Sequence, residues 1–190
     1  MTGIYTVLHF FVDFTTIFLL TGLMLGPDIG VIHRGEAIIL YNLIAFAGQL
    51  PIGMMADTLT RKALLAAIGC ILAGIAYPLV FVAPWTACIL AAIGNGAFHI
   101  GAGTEILSLA MPKAGPSGLF VSSGALGVWL AYRAGGTGVV WLCPLVMMVG
   151  AVLLLATGNA EENPEPEESR YRKPELLPLL AVGCLMLTIV

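Results

Sequence analysis

Charge is what this chain has least of. Only 10% of its 190 residues are Asp, Glu, Lys or Arg, whereas an average soluble domain has about 25%. Hydrophobic residues make up 59% of the chain, and its mean hydropathy is +0.99. Water is therefore not the main solvent of this protein. The net charge of −3 is spread too thinly to indicate a nucleic-acid partner.

Paired cysteines and a basic leader are also missing. The cysteines each stand alone inside an apolar run, without metal-ligand or redox spacing, and are Cys70, Cys88, Cys143 and Cys184. We interpret them as small packing residues and expect neither a metal nor a cofactor. No Lys or Arg precedes Arg34, so the N-terminus lacks the basic region of a cleaved signal peptide. We expect the first apolar run to remain in the mature protein.

Long apolar runs are what the chain has instead. About 20 helical residues cross the ~30 Å hydrocarbon core of a bilayer. Six runs are long enough when some tilt is allowed: 4–25, 36–56, 63–82, 85–110, 117–134 and 139–157. Each must be helical, because unsatisfied backbone groups are costly in lipid. The third and fourth runs are joined so closely that we expect antiparallel neighbours.

The sequence predicts three regions. Residues 1–157 form a six-helix transmembrane bundle, and residues 158–175 form a charged, proline-bearing cytoplasmic linker that we expect to be disordered. Residues 176–190 are apolar but reach only ~22 Å as a helix, so they read as the start of a seventh transmembrane helix. Either this run lies partly in the membrane, or the chain is the front part of a longer protein.

Loop cations predict the orientation in the membrane. If the N-terminus is cytoplasmic, six cations fall on the inside: Arg61, Lys62, Lys113, Arg170, Arg172 and Lys173. Only Arg34 and Arg133 then fall outside. Cytoplasmic loops carry the excess of Lys and Arg, so we expect the N-terminus to be in the cytoplasm. Separately from this charge argument, we expect the protein to lie in the plasma (inner) membrane.

Polar residues inside the apolar runs are the candidates for function. His9 and Asp13 in the first run, and Asn95 and His99 in the fourth, are each four residues apart and so share a helix face. A carboxylate at mid-membrane costs at least ~2.5 kcal/mol, so Asp13 should face the bundle interior. We expect it either to carry a proton in coupled transport or to be a neutral acid hydrogen-bonded to His9 or a nearby threonine.

Three further polar residues complete the candidate cavity. Glu105 in the fourth run is either a functional acid or a side chain paired with a loop cation. Asn42 and Gln49 in the second run, seven residues apart, either line the cavity or form hydrogen bonds between helices. A stripe of small residues in the fifth run predicts close helix packing: Ser123, Gly127, Ala131 and Gly135.

The loop between the second and third runs carries a family likeness. Its residues Gly53, Asp57, Arg61 and Lys62 resemble the signature G-x-x-x-D-R/K-x-G-x-R/K-R/K of major facilitator superfamily transporters. Two positions depart from it, since threonines replace one basic residue and the second glycine. The resemblance implies that this loop is a cytoplasmic latch that opens and closes during transport. The alternative is that its cations only fix the topology.

A second likeness is to the fosmidomycin-resistance branch of that superfamily. His9 and Asp13 match its H-x-x-x-D in the first helix, and Phe98 and His99 match the start of its F-H-P-E in the fourth. Ile100 and a glycine stand where the family has Pro-Glu. The resemblance implies an all-α polytopic membrane protein with the six-helix N-terminal half of the major facilitator fold.

The function implied is proton-coupled efflux of a small organic molecule by antiport, without enzyme activity. Alternating access needs two halves, so we expect a second copy of the chain or a separate C-terminal half as partner. The alternatives are an inactive truncated transporter and a non-transporting scaffold or binding protein. An intramembrane enzyme using His9, Asp13, His99 and Glu105 around a metal is the weakest reading, because no HExxH-like spacing is present.

Overall fold

The computed structural model describes residues 1–26, 34–110, 113–134 and 141–157. Those residues form helices and no strands, which confirms the all-helical prediction for them. The six helical segments are α1 (Thr2–Met24), α2 (Arg34–Ala56), α3 (Lys62–Leu79), α4 (Pro84–Ala110), α5 (Gly115–Arg133) and α6 (Leu142–Thr157). The predicted linker and seventh helix lie outside the described residues, so those boundaries stay predictions.

Four of these helices, α1 to α4, are long and apolar enough to cross a membrane. Four of the six predicted membrane-spanning runs are therefore long and apolar enough as helices in the described residues. Helix α5 has 19 residues, but its serines and glycines and the arginine at its end lower its hydropathy. Helix α6 has 16 residues, which reach ~24 Å at the helical rise. That is shorter than the hydrocarbon core.

The outer surface of the bundle is apolar. Val82 is 80% exposed, Met54 66% and Leu107 62%. Soluble monomers rarely expose apolar patches larger than a few hundred Å². The surface is therefore compatible with a bilayer as the surrounding solvent.

Helix α4 is the centre of the bundle and contacts α1, α2, α3 and α5. Its most extensive contact is with α3. Gly69 of α3 lies beside Phe98 of α4. Ala66, earlier in α3, lies beside Gly101, later in α4, which confirms the prediction that the two helices are antiparallel neighbours. Glycines allow the close approach: a Cβ on Gly69 would lie 2.5 Å from the Phe98 nitrogen and 2.7 Å from the Gly94 oxygen. Gly101 is equally close to the Ala66 nitrogen. Backbone packs on backbone along this interface.

Helices α1 and α5 also meet through small residues. A Cβ on Gly127 would collide with the Phe10 carbonyl oxygen and lie 3.1 Å from the Phe14 nitrogen. Ala131, one turn further, is buried as well. The predicted small-residue stripe is thus confirmed as a packing surface at these two positions, whereas Gly135 lies outside the described residues.

Two helices change their winding along their length. Helix α1 ends in a π-helical segment, Phe18–Met24, and α2 contains one at Leu43–Ala47. A π-helix bonds residue i to i+5 and so changes the angular spacing of side chains. The segment in α2 lies between Asn42 and Gln49, so their spacing of seven no longer guarantees a shared face.

Candidate functional site

Four of the seven predicted cavity residues come together where α1 meets α4. His9 and Asp13 project from α1, and Asn95 and His99 project from α4. His9 and Asn95 are each 3% exposed and Asp13 is 8% exposed. The side chain of His99 is 23% exposed, so the group opens to its surroundings at His99. We call these four residues the His–Asp cluster.

Asp13 is held by three neighbours. The Asn95 Nδ2 donates a hydrogen bond of 2.9 Å to Asp13 Oδ1. The His9 Nε2 lies 3.2 Å from Asp13 Oδ2, and the His99 Nε2 lies 3.6 Å from Oδ1. The sequence left open whether a neutral Asp13 would be hydrogen-bonded to His9 or to a nearby threonine. Of these two partners, His9 is the one in contact with the Asp13 carboxyl group. The nearby Thr16 hydroxyl donates instead to the Val12 carbonyl, at 2.9 Å.

Backbone carbonyls fix which nitrogen of each imidazole carries hydrogen. The His9 Nδ1 lies 2.7 Å from the Phe120 carbonyl oxygen, and the His99 Nδ1 lies 2.8 Å from the Asn95 carbonyl oxygen. A carbonyl oxygen only accepts hydrogen bonds, so both Nδ1 atoms must be N–H donors. Each Nε2 of a neutral ring then carries a lone pair that points into the cluster.

The two Nε2 atoms are 2.9 Å apart. Two lone pairs cannot face each other at that distance without a cation between them. One proton satisfies the contact, because one ring then becomes an imidazolium that donates to the other. Together with the Asp13 carboxylate, the cluster is then neutral overall, which lowers the cost of burying its charges.

Ring packing holds His9 in place. Its ring stacks on Phe120 with centroids 4.1 Å apart and an interplanar angle of 20°. The His99 ring meets it edge-on at 4.6 Å and 84°. The stacking partner and the carbonyl that accepts from Nδ1 both belong to Phe120, so α5 sets the orientation of His9.

Gly124 forms the floor of the cluster. A Cβ at this position would lie 2.5 Å from Asp13 Oδ2 and 2.5 Å from His9 Nε2. Only glycine leaves room there for both side chains. The sequence did not predict Gly124 as a site residue, although this glycine lies in the small-residue region of α5.

The other three predicted residues do not join the cluster. Glu105 is buried and six residues beyond His99, which is ~9 Å along α4, and its electrostatic neighbour is Tyr5. The amides of Asn42 and Gln49 donate to the Ile38 and Ala45 carbonyls, each at 2.9 Å. These two bonds lie within α2 and do not link helices. The two alternatives for these amides, cavity lining and hydrogen bonds between helices, both stay predictions.

The loop between α2 and α3 places its cations at helix ends. The Lys62 Nζ donates to the Ala56 and Leu59 carbonyls, both at 2.7 Å. The Arg61 guanidinium donates to the Leu155 carbonyl in α6 at 3.0 Å. Cations favour the negative ends of helix dipoles. Asp57 is exposed at the end of α2, and its carboxylate forms no ion pair within the described ranges. Gly53 lies one turn earlier in α2.

Replacing Lys62 by methionine tests this capping role. The variant keeps the aliphatic stem but loses two charge-assisted hydrogen bonds, so we expect a loss of about 1 kcal/mol after allowing for its partial exposure. Thermal unfolding of the purified protein in detergent measures it. Lys113→Met, at an exposed loop position, is the matched control and should change little. Equal effects of the two substitutions would contradict the capping role.

An apolar groove of about 720 Å³ lies elsewhere, between the start of α1 and α6. Its lining includes Ile4, Leu8 and Leu153 and none of the cluster residues. The groove therefore adds nothing to the chemistry of the His–Asp cluster.

No family model matches this chain, and neither a curated protein nor a solved structure matches it. The fold and site define a class of protein: in the ranges that the structure describes, the chain is all-helical, has helices that can span a membrane, and contains a buried His–Asp cluster.

Proposed function

We propose that the chain is a six-helix unit of a secondary active transporter of the major facilitator type, and that it couples the movement of a small organic molecule to protons. The observation that carries this proposal is the 2.9 Å contact between the Nε2 atoms of His9 and His99. That contact requires a bound cation, and a proton is the cation that every compartment supplies.

The cluster couples proton binding to helix position. While the proton is present, it joins a ring on α1 to a ring on α4, and the imidazolium compensates Asp13. When the proton leaves, two lone pairs face each other beside an uncompensated carboxylate. That state is unfavourable in a low-dielectric interior, so α1 and α4 must shift relative to each other. Exchange occurs on the side where His99 is exposed.

Alternating access requires a second unit for this one to move against. The proposed partner is a second copy of the chain or a separate C-terminal half that meets the His99 side. The protein then lies in the plasma (inner) membrane with its N-terminus in the cytoplasm. The loop that contains Asp57, Arg61 and Lys62 acts as the cytoplasmic latch, releasing its caps on α2 and α6 as the units move.

Reconstituted vesicles with a trapped pH-sensitive dye test the proposal. Adding members of a panel of small organic solutes to one side should move protons in the wild type. We expect Asp13→Asn to abolish that movement, because an amide cannot compensate the imidazolium. The control is Glu36→Gln, which removes an exposed carboxylate outside the cluster and should leave the movement unchanged.

Two results would overturn the proposal. One is a wild type that moves no protons with any solute of the panel. The other is solute-dependent proton movement that is the same in Asp13→Asn as in the wild type, which would remove Asp13 from the coupling step.

A further inference from the structure

We infer that the His–Asp cluster is also a binding site for one divalent transition-metal ion of the Zn²⁺ class. The donors are the Nε2 atoms of His9 and His99 and a carboxylate oxygen of Asp13. These atoms all lie within 4.8 Å of one another. This inference concerns binding alone and holds whether or not the chain moves a solute.

The donor separations fit a single ion. His and Asp ligands lie about 2.0–2.2 Å from zinc, which places the corners of a tetrahedron roughly 3.3 Å apart. The two Nε2 atoms are 2.9 Å apart, and their distances to the nearer carboxylate oxygens are 3.2 Å from His9 and 3.6 Å from His99. These separations are close to the tetrahedral value, but the two carboxylate distances end at different oxygens, Oδ2 for His9 and Oδ1 for His99. Binding one ion through a single oxygen therefore requires the Asp13 carboxylate to turn toward the two rings.

Both rings are already in the tautomer that binds metal. Metal-bound histidines commonly donate their other N–H to a carbonyl or carboxylate, which fixes the ring and raises its basicity. Here the Phe120 and Asn95 carbonyls accept from the Nδ1 atoms of His9 and His99. The Nε2 atom of each ring is thereby left as the nitrogen that can coordinate an ion.

Asn95 and Gly124 complete the support. The Asn95 amide donates to Asp13 Oδ1, which leaves Oδ2, the oxygen nearer His9, as the ligand. Gly124, which has no side chain, leaves space beside that oxygen. A fourth ligand, such as water, can enter on the exposed side of His99.

The donor set selects the class of ion. Two imidazoles and one carboxylate suit Zn²⁺, Co²⁺, Ni²⁺ and Cu²⁺, whereas Mg²⁺ and Ca²⁺ require mostly oxygen ligands. The ion uses the same lone pairs as the shared proton. Binding of a metal therefore expels that proton to the solvent, and the two cations exclude each other.

Titration of the purified full chain with Co²⁺ in detergent tests the inference, with a purification tag that lacks histidine. We expect one Co²⁺ per chain, with the visible absorption bands of a four-coordinate ion. Zn²⁺ should displace it and Mg²⁺ should not. His99→Phe should weaken binding more than 100-fold, and Asn95→Leu, which removes an outer support, should weaken it by about 10–100-fold.

His33→Phe is the matched control, since the chain has 3 histidines and this one lies outside the described residues. It should bind Co²⁺ like the wild type. No binding to the wild type, or equal weakening by His33→Phe and His99→Phe, would overturn the inference. Asn95→Leu keeps both histidines, so it serves as the test if His99→Phe fails to fold. Co²⁺ binding by Asn95→Leu as strong as that of the wild type would then contradict the inference. Metal binding without solute-driven proton movement would contradict the transport proposal alone. Solute-driven proton movement without metal binding would contradict only the metal-site inference.

Discussion

Gly124→Ala will destabilise the protein by about 3 kcal/mol, because it breaks a buried charged pair and overpacks its surroundings. The new methyl group would stand 2.5 Å from Asp13 Oδ2 and from His9 Nε2. His9 cannot move aside easily, since Phe120 stacks on its ring and accepts a hydrogen bond from its Nδ1. Thermal unfolding in detergent, followed by circular dichroism, measures the loss.

The control for this change lies on the same helix. A Cβ on Gly118 would meet nothing within 4 Å, so Gly118→Ala should stabilise α5 by up to about 1 kcal/mol through helix propensity. Cobalt binding gives a second readout, because Gly124→Ala should reduce it and Gly118→Ala should not. If both variants were equally stable and bound cobalt equally, Gly124 would not be the floor of the cluster.

The sequence predicted the cluster only within each helix. The spacing of four placed His9 with Asp13 and Asn95 with His99, because a single helix fixes that geometry. It left open whether the two pairs would meet, since their meeting depends on how α1 and α4 are aligned. Tautomer assignment was also out of reach, because the carbonyl that accepts from His9 is on a third helix.

Two expectations about α2 and α4 show why spacing alone was not enough. Asn42 and Gln49 shared a face only if α2 were regular, and a π-helical segment lies between them. Glu105 was grouped with His99 because both are polar residues of α4, but it lies beyond the cluster along the helix axis. The proximity of Glu105 to Tyr5 reflects α1 packing against α4, which no local pattern encodes.

The glycines explain how the cluster can be so compact. Gly127 lets α5 approach the backbone of α1, and Gly69 and Gly94 let α3 approach α4. Helices α1 and α4, which carry the cluster residues, are therefore each held by a closely packed neighbouring helix. Small residues at helix interfaces are the usual source of stability in a bilayer, where apolar burial gives no advantage over lipid.

Gly69→Ala will therefore be among the most damaging single changes outside the cluster, with an expected loss of about 3 kcal/mol from overpacking at a rigid contact. Its Cβ would stand 2.5 Å from the Phe98 nitrogen and 2.7 Å from the Gly94 oxygen. Those are backbone atoms of α4, so only separation of the two helices relieves the clash. Unfolding in detergent should show a lower transition temperature with a cooperative transition.

The matched control is Gly103→Ala, also in a helix of this interface but with nothing within 4 Å of the new Cβ. It should be neutral or slightly stabilising, because alanine favours the helix. Equal stability of the two variants would mean that α3 and α4 are further apart than the glycine contacts require. A loss confined to Gly69→Ala, accompanied by weaker cobalt binding, would mean that the α3 contact holds α4, and with it His99, in register with α1.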